Sequence, residues 1–185
     1  MTGSWTNGAQ ASDGTGKSLA SGFCTMPDRV SVSITIGGIL PADRVPELIE
    51  TANRCGLSLE WDGGPLTEIP SGEPLCLRAH EVVGGDIDDM EDFCCHNDLP
   101  FRSWSDGNYG HFTPEIRIWI GEGPRQVYTA AQDEKAVLTT DEASQLASYE
   151  AIMEHFRQAN YIPPPLHILP IKAPDDTAEA QPSCE

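Results

Sequence analysis

Val30, Val32, Ile34 and Ile36 alternate with Ser31, Ser33 and Thr35, the period-two pattern of a strand with one buried face. Gly37-Gly38 ends the run, and the apolar spacing then becomes helical. Val45, Leu48, Ile49 and Ala52 fall on one side of a helix running from about Asp43 to Cys55, with Pro46 in the permissive first turn and Gly56 placed to terminate it. Leu57, Leu59 and Trp61 return to alternation and predict a strand, which Asp62-Gly63-Gly64-Pro65 breaks.

A second unit repeats the first. Leu75, Leu77 and Ala79 alternate before Gly84-Gly85, a helix with the stripe Ile87, Met90, Phe93 and Cys94 starts at the N-cap Asp86, and Leu99, Phe101 and Trp104 lead into the turn Ser105-Asp106-Gly107-Asn108. A shift of 42 positions lays Val45 on Ile87, Leu48 on Met90, Ala52 on Cys94, Leu57 on Leu99 and Leu59 on Phe101. Two tandem β-α-β units predict an α+β fold of the ferredoxin-like, split βαβ kind, an antiparallel four-stranded sheet covered on one face by two helices. Ile116, Ile118 and Ile120, then a Gly-Glu-Gly-Pro turn and residues 126–129, add a hairpin. A last helix is expected from about Asp141 to Ala159, opened by a Thr139/Glu142 capping box and buried through Leu146, Tyr149, Ile152, Met153 and Phe156.

The ends differ in composition. Residues 1–26 are rich in Gly, Ser, Thr and Asn and read as a disordered tail, residues 27–171 as one domain, and 172–185 as a second polar tail. Leu166, Ile168 and Leu169, after Pro163-Pro164-Pro165, are expected to pack back onto the domain. No apolar run has the roughly 18 residues of a membrane span and no secretory leader opens the chain, so the expectation is a cytoplasmic protein with reduced thiols and no membrane partner.

Charge alters this picture most. The 185 residues carry 29 Asp and Glu against 11 Lys and Arg, a net charge of -18. The excess is uneven: residues 41–100 hold 14 acids against Arg44, Arg54 and Arg78, while residues 101–130 hold three of each sign. Between Asp86 and Asp98 there are six acids and no base. With Ile87, Met90, Phe93 and Cys94 inward, Asp88, Asp89, Glu91 and Asp92 are expected to form an outward ridge, their neighbours about 5 to 6 Å apart. That spacing approaches the phosphate spacing of a nucleic-acid strand. Such a ridge suits a cationic protein surface and argues against direct nucleic-acid binding, which needs a basic patch. Acids near a helix N-terminus are also favoured by its dipole and aid solubility with no partner at all.

Other chemistry is weakly signalled. Cys94, Cys95 and His96 project about 100° apart on a helix and cannot share one ion, Asp86 and the acids after it lack the Ca²⁺-loop spacing, and neither Gly-Gly pair has a phosphate-loop context. No metal or cofactor is expected. A Cys/His-dependent enzyme is the least favoured alternative, because no cysteine sits at a helix N-terminus or among cations. Aromatic candidates for an interface are Trp104 and Tyr109 around the Gly-rich turn, the alternative being that Trp104 and Phe112 end their strands and pack into the core margin. Trp119 joins them: if the isoleucines face inward it shares the other face with Glu115 and Arg117, and needs cover from the third helix, a tail or another molecule.

The segments Met90-Glu-Asp-Phe-Cys, Leu99-Pro-Phe and Phe112-Thr-Pro-Glu-Ile-Arg resemble small proteins borne on plasmids and phages. Acidic proteins of that size and origin include anti-restriction and anti-CRISPR inhibitors. The resemblance implies a non-enzymatic inhibitor that docks on the basic nucleic-acid-binding surface of a host defence complex. It carries no residue assignments. From the residues themselves, the partner-binding candidates are Asp86, Asp88, Asp89, Glu91, Asp92, Trp104, Tyr109 and Trp119, and the alternative is a structural or regulatory module that pairs as a homodimer.

Overall fold

A computed structural model describes residues 28–170. The two expected tails, 1–26 and 172–185, lie outside the described residues. Seven strands and four helices follow in the order β1 (Arg29–Ile36), β2 (Gly38–Pro41), α1 (Val45–Arg54), β3 (Leu75–Val83), α2 (Asp88–His96), β4 (Phe101–Ser105), β5 (Glu115–Trp119), β6 (Gln126–Thr129), α3 (Thr140–Leu146), α4 (Tyr149–Ala159) and β7 (Leu166–Leu169). Five strands make an antiparallel sheet in the order β3-β1-β4-β5-β6, and β2 pairs in parallel with β7 in a separate ribbon.

Register places Ile34 opposite both Leu77 and Ser103, and Ile36 opposite Leu75 and Phe101. One face of the sheet therefore carries the alternating apolar set of β1 and β3, and Leu48, Ala52, Met90 and Cys94 of α1 and α2 close over it. The other face is apolar only at the β4-β5-β6 end. There Trp104, Ile116, Ile118 and Tyr128 pack with Ala130 and with Ala159 of α4. Helices thus cover both faces, α1 and α2 on one and α4 on the β4-β5-β6 end of the other.

The 42-residue repeat is visible at the ends of the two helices. Leu57 N–H reaches back to Ala52 O at 2.8 Å and Leu99 N–H to Cys94 O at 2.9 Å, and both leucines are buried. The residue before each is left-handed, Gly56 at φ 70 and Asp98 at φ 54, so both helices close with the same Schellman-type turn. Beyond that point the units diverge. Phe101 enters β4, whereas the strand expected at Leu57, Leu59 and Trp61 is reduced to one bridge between Ser58 and Arg78. Local bonds compete for the backbone that a strand would use: Glu60 O accepts from Ser58 Oγ at 2.6 Å and from Gly63 N at 3.0 Å, turning the chain away.

Two other expectations change in detail. The last helix is broken into α3 and α4, because Ala147 is left-handed at φ 57 and the Ser148 side chain caps a new start by accepting from Ala151 N. The Thr139/Glu142 capping box does open α3. Of the stripe expected to be buried, Tyr149 and Met153 are exposed, and α4 buries only Ala159. Of the residues after the three prolines expected to pack, Leu166 in β7 is buried, Ile168 is half-buried and Leu169 is exposed. The approach of the prolines is close: a Cβ on Gly37 would lie 1.9 Å from Pro164 O, so only glycine fits there.

Candidate functional site

α2 forms because an apolar stripe faces the sheet and acids fill its N-terminal turn, where the backbone N–H groups and dipole favour them. It begins at Asp88, with Ile87 in the cap position, and the Asp86 carboxylate accepts the Asp88 N–H at 2.9 Å from just outside. Asp88, Asp89 and Asp92 point outward as expected, with side chains 58, 66 and 57% exposed.

Glu91 does not join them, and its outward placement is corrected. Its side chain is 1% exposed, because the sheet extends under α2 with polar groups that receive it. Ser103 Oγ donates to Glu91 Oε1 at 2.6 Å, and Glu91 Oε2 lies 3.3 Å from Arg125 Nη1 and 3.6 Å from Arg117 Nη1. Burial raises the Glu91 pKa, and the Ser103 bond and the two arginines only partly oppose it. Arg117 is raised as well: burial works against its charge, but Glu91, Glu115 and Asp88 outweigh it.

The exposed acids of α2 are also partnered. Arg117 Nη1 meets Asp88 at 2.7 Å, Arg54 Nε meets Asp89 at 3.2 Å, and Arg125 pairs with Asp92. Arg117 comes from β5 and Arg125 from the β5–β6 turn, elements distant in sequence that the antiparallel register brings beneath α2. The ridge is therefore laced to its own sheet and is less bare than the sequence implies.

Two aromatic candidates are corrected in the same way. Trp119 is buried, its ring centroid 6.5 Å from that of Phe101 and its Nε1 donating to Gly123 O at 3.0 Å. It does lie on the face opposite Ile116 and Ile118, and the cover it needs comes from the core beneath α2. Trp104 is buried with Ile116 and Tyr128, and its Nε1 donates to Ala131 O at 3.1 Å. Tyr109 differs, standing wholly in solvent on the β4–β5 loop.

That loop borders two cavities. One of about 590 Å³ is lined by residues 107–114 of the loop and by Gln132. The other, of about 310 Å³, lies between the loop, the start of β1 and the end of β3. Here the structure joins residues that sequence spacing kept apart. Ser31 Oγ is 2.7 Å from His80 Nδ1, His80 stacks on Trp61 at 4.3 Å, and the Arg78 guanidinium lies 5.8 Å from the Trp61 ring. The only sequence signal for this cluster was the polar side of the alternation in β1 and β3, which carries Ser31, Arg78 and His80.

Cys55, Cys76, Cys94 and Cys95 are free thiols. Burial pushes Cys94 well above the usual thiol range and raises Cys55, which makes both poor nucleophiles. Among the described residues no three His, Cys, Asp or Glu side chains are grouped to hold a metal ion, and no helix is long and apolar enough to cross a membrane. No protein-family model, curated protein or solved structure matches this chain.

Proposed function

We propose that the protein is a non-enzymatic acidic inhibitor of the anti-CRISPR or anti-restriction kind, which docks its α1–α2 layer on the basic nucleic-acid-binding surface of a defence complex. The supporting observation is a charge balance. Residues 28–170 carry 24 acids and nine Lys or Arg, and each of those nine engages the chain's own groups. Six form ion pairs with carboxylates. Arg29 and Arg102 donate to backbone carbonyls, and Arg78 lies over Trp61. The excess charge is therefore carboxylate, and Asp43, Glu50 and Asp86 place part of it on exposed positions of the α1–α2 layer. Within the same reading, β1-α1-β3-α2-β4 is a ferredoxin-like unit whose remaining strand is the Ser58–Arg78 bridge.

Asp43→Lys with Glu50→Lys tests the layer, and Asp141→Lys with Glu150→Lys, near the starts of α3 and α4, is the control of equal charge. The assay is displacement of DNA or RNA from purified defence nucleases by gel shift, from about 0.01 to 0.15 M salt, across which the screening length falls from about 30 to 8 Å. The first pair should abolish displacement, the control should retain it, and wild-type displacement should weaken as salt rises. Absence of displacement at low salt, or equal loss in both variants, rejects the proposal.

A homodimer is the second reading. β6 ends the sheet and carries Val127, which is 60% exposed; its outer edge is bonded at Thr129 O by Val137 N–H, and the rest of the edge is of the kind that pairs readily with another copy. Light scattering at several concentrations separates the two readings, since a stable dimer lost in Val127→Lys favours the second.

A further inference from the structure

The 310 Å³ cavity is built on a backbone irregularity. Between β1 and β3 the pairing runs from Val32↔Ala79 to Val30↔Val82, so two residues of β3 oppose Ser31 alone. Glu81, one of the two, is left-handed at φ 60, and Arg29 Nη1 holds its carbonyl at 2.7 Å. Bulges re-aim side chains, and a non-glycine residue stays in this conformation only where its surroundings enforce it. The loop wall is equally fixed. Asp106 N–H donates to Ser31 O at 2.8 Å, one Asp106 carboxylate oxygen accepts from Gly107 N at 2.8 Å, and Asn108 N–H donates to Phe112 O at 3.0 Å. Arg29, Glu81, Asp106, Asn108 and Tyr109 then face one polar space with the Ser31–His80 pair.

We propose that this cavity binds a neutral saccharide, with the Tyr109 ring as the platform beneath the sugar. Neighbouring hydroxyls of a sugar ring each need a donor and an acceptor close together. The Glu81 and Asp106 carboxylates accept, the Arg29 guanidinium donates, and the Asn108 amide does both. The C–H face of the ring takes an aromatic surface, and Tyr109 is fully exposed at the cavity edge. Two carboxylates against one guanidinium, on a chain of net charge -18, disfavour phosphates and acidic sugars. At about 310 Å³ the space is at the small end of small-molecule sites, about 300–1,000 Å³. The 590 Å³ cavity shares Gly107, Asn108 and Tyr109 with it and extends it toward Phe112 and Pro114, which gives a second ring or an apolar aglycone somewhere to lie. This site is separate from the α1–α2 layer and does not depend on the docking proposal.

Saturation-transfer NMR on the full chain tests it. The probes are methyl glucoside, methyl galactoside, methyl mannoside, N-acetylglucosamine, maltose and cellobiose at about 10 mM, enough to fill most of a site with a Kd of about 1 mM. At least one should receive saturation at its ring protons. Tyr109→Ala and Asp106→Asn should each weaken that binding about tenfold, a loss of about 1.4 kcal/mol, with circular dichroism and Tm unchanged. Tyr109 touches no core, so its variant keeps the test valid if Asp106→Asn destabilises the loop. Silence from all six sugars, undiminished binding in Tyr109→Ala, or stronger binding of glucuronate or glucose 6-phosphate overturns the proposal.

Discussion

Glu91 offers the sharpest test of how α2 is held. Glu91→Ala removes the acceptor of the Ser103 hydroxyl, which is itself buried, and empties a cavity between helix and sheet. A hydrogen bond to a charged group contributes about 1.5–3 kcal/mol, and an orphaned buried donor costs about 1–3 kcal/mol. Breaking a buried ion pair can cost about 3–5 kcal/mol when the partner charge is stranded. Here it is not stranded, since Arg117 keeps Asp88 and Glu115, Arg125 keeps Asp92, and the two are 30 and 29% exposed. The expected loss is therefore about 2–4 kcal/mol, a large part of a typical total of about 5–15. Glu91→Gln keeps the volume and an acceptor for Ser103 and should cost no more than about 1 kcal/mol. Its pH dependence has a definite sign. Because burial raises the Glu91 pKa, the folded protein holds a proton that the unfolded chain has released just above the ordinary carboxyl range. The stability from this group is full below that range and is lost as pH rises through the raised value. Urea unfolding should show wild type losing stability relative to Glu91→Gln across that window. Equal destabilisation by Gln and Ala at neutral pH, or the opposite pH trend, would refute the assignment.

The remaining predictions concern packing and access. Gly37→Ala sets a methyl against Pro164 O and should detach the β2–β7 ribbon, lowering Tm by several degrees and exposing residues 163–169 to protease. Trp119→Ala should cost about 3–5 kcal/mol in denaturant unfolding, as for a large buried aromatic; a change below about 1 kcal/mol would return Trp119 to the surface. Cys94 should resist iodoacetamide in the native protein and react on unfolding, read by mass spectrometry, because it is wholly buried and its thiol pKa is raised. Arg102→Met removes the donors to Glu134 O and Ala159 O and should speed hydrogen exchange in α4 while leaving α1 unaffected.

Periodicity carried the elements that bury apolar faces. Val32, Ile34, Ile36, Leu48, Ala52, Met90 and Cys94 all lie in the main core, and they fix β1, α1 and α2 because one face of each must leave water. Elements whose identity depends on competing local bonds were less legible. Leu57, Leu59 and Trp61 alternate as a strand does, yet a serine turn at Ser58 and the stacking of Trp61 on His80 take that segment out of the ladder. Ala147 and Ser148 lie within an unbroken helical pattern, and only the cap at Ser148 divides it. At the candidate site, helical spacing alone turns Asp88, Asp89 and Asp92 outward, where they lie. Glu91 could not be placed this way, because its partners Ser103, Arg117 and Arg125 are 12 to 34 positions away and meet it only after the sheet has formed. Trp119 differs for a related reason: periodicity gives two faces of β5 but not which one meets the α1–α2 core, and it is Trp119 that faces that core while Ile116 and Ile118 face α4.

Ion pairing within α2 changes what its acids can do without cancelling their sum. A carboxylate already bound by a guanidinium offers a partner's lysine or arginine little new short-range energy, because forming the new pair means loosening the old one. The long-range field depends on net charge. Asp43, Glu47, Glu50, Asp86, Asp88, Asp89, Glu91, Asp92 and Asp98 outnumber Arg44, Arg54, Arg117 and Arg125 around the α1–α2 layer. An excess of that kind steers an approaching cationic surface and speeds encounter more than it slows departure. In the proposed docking, short-range contacts then fall to carboxylates that no cation among the described residues already holds, and that favours Asp43 and Glu50, with Asp86 bonded only to the Asp88 N–H, over the laced carboxylates of α2.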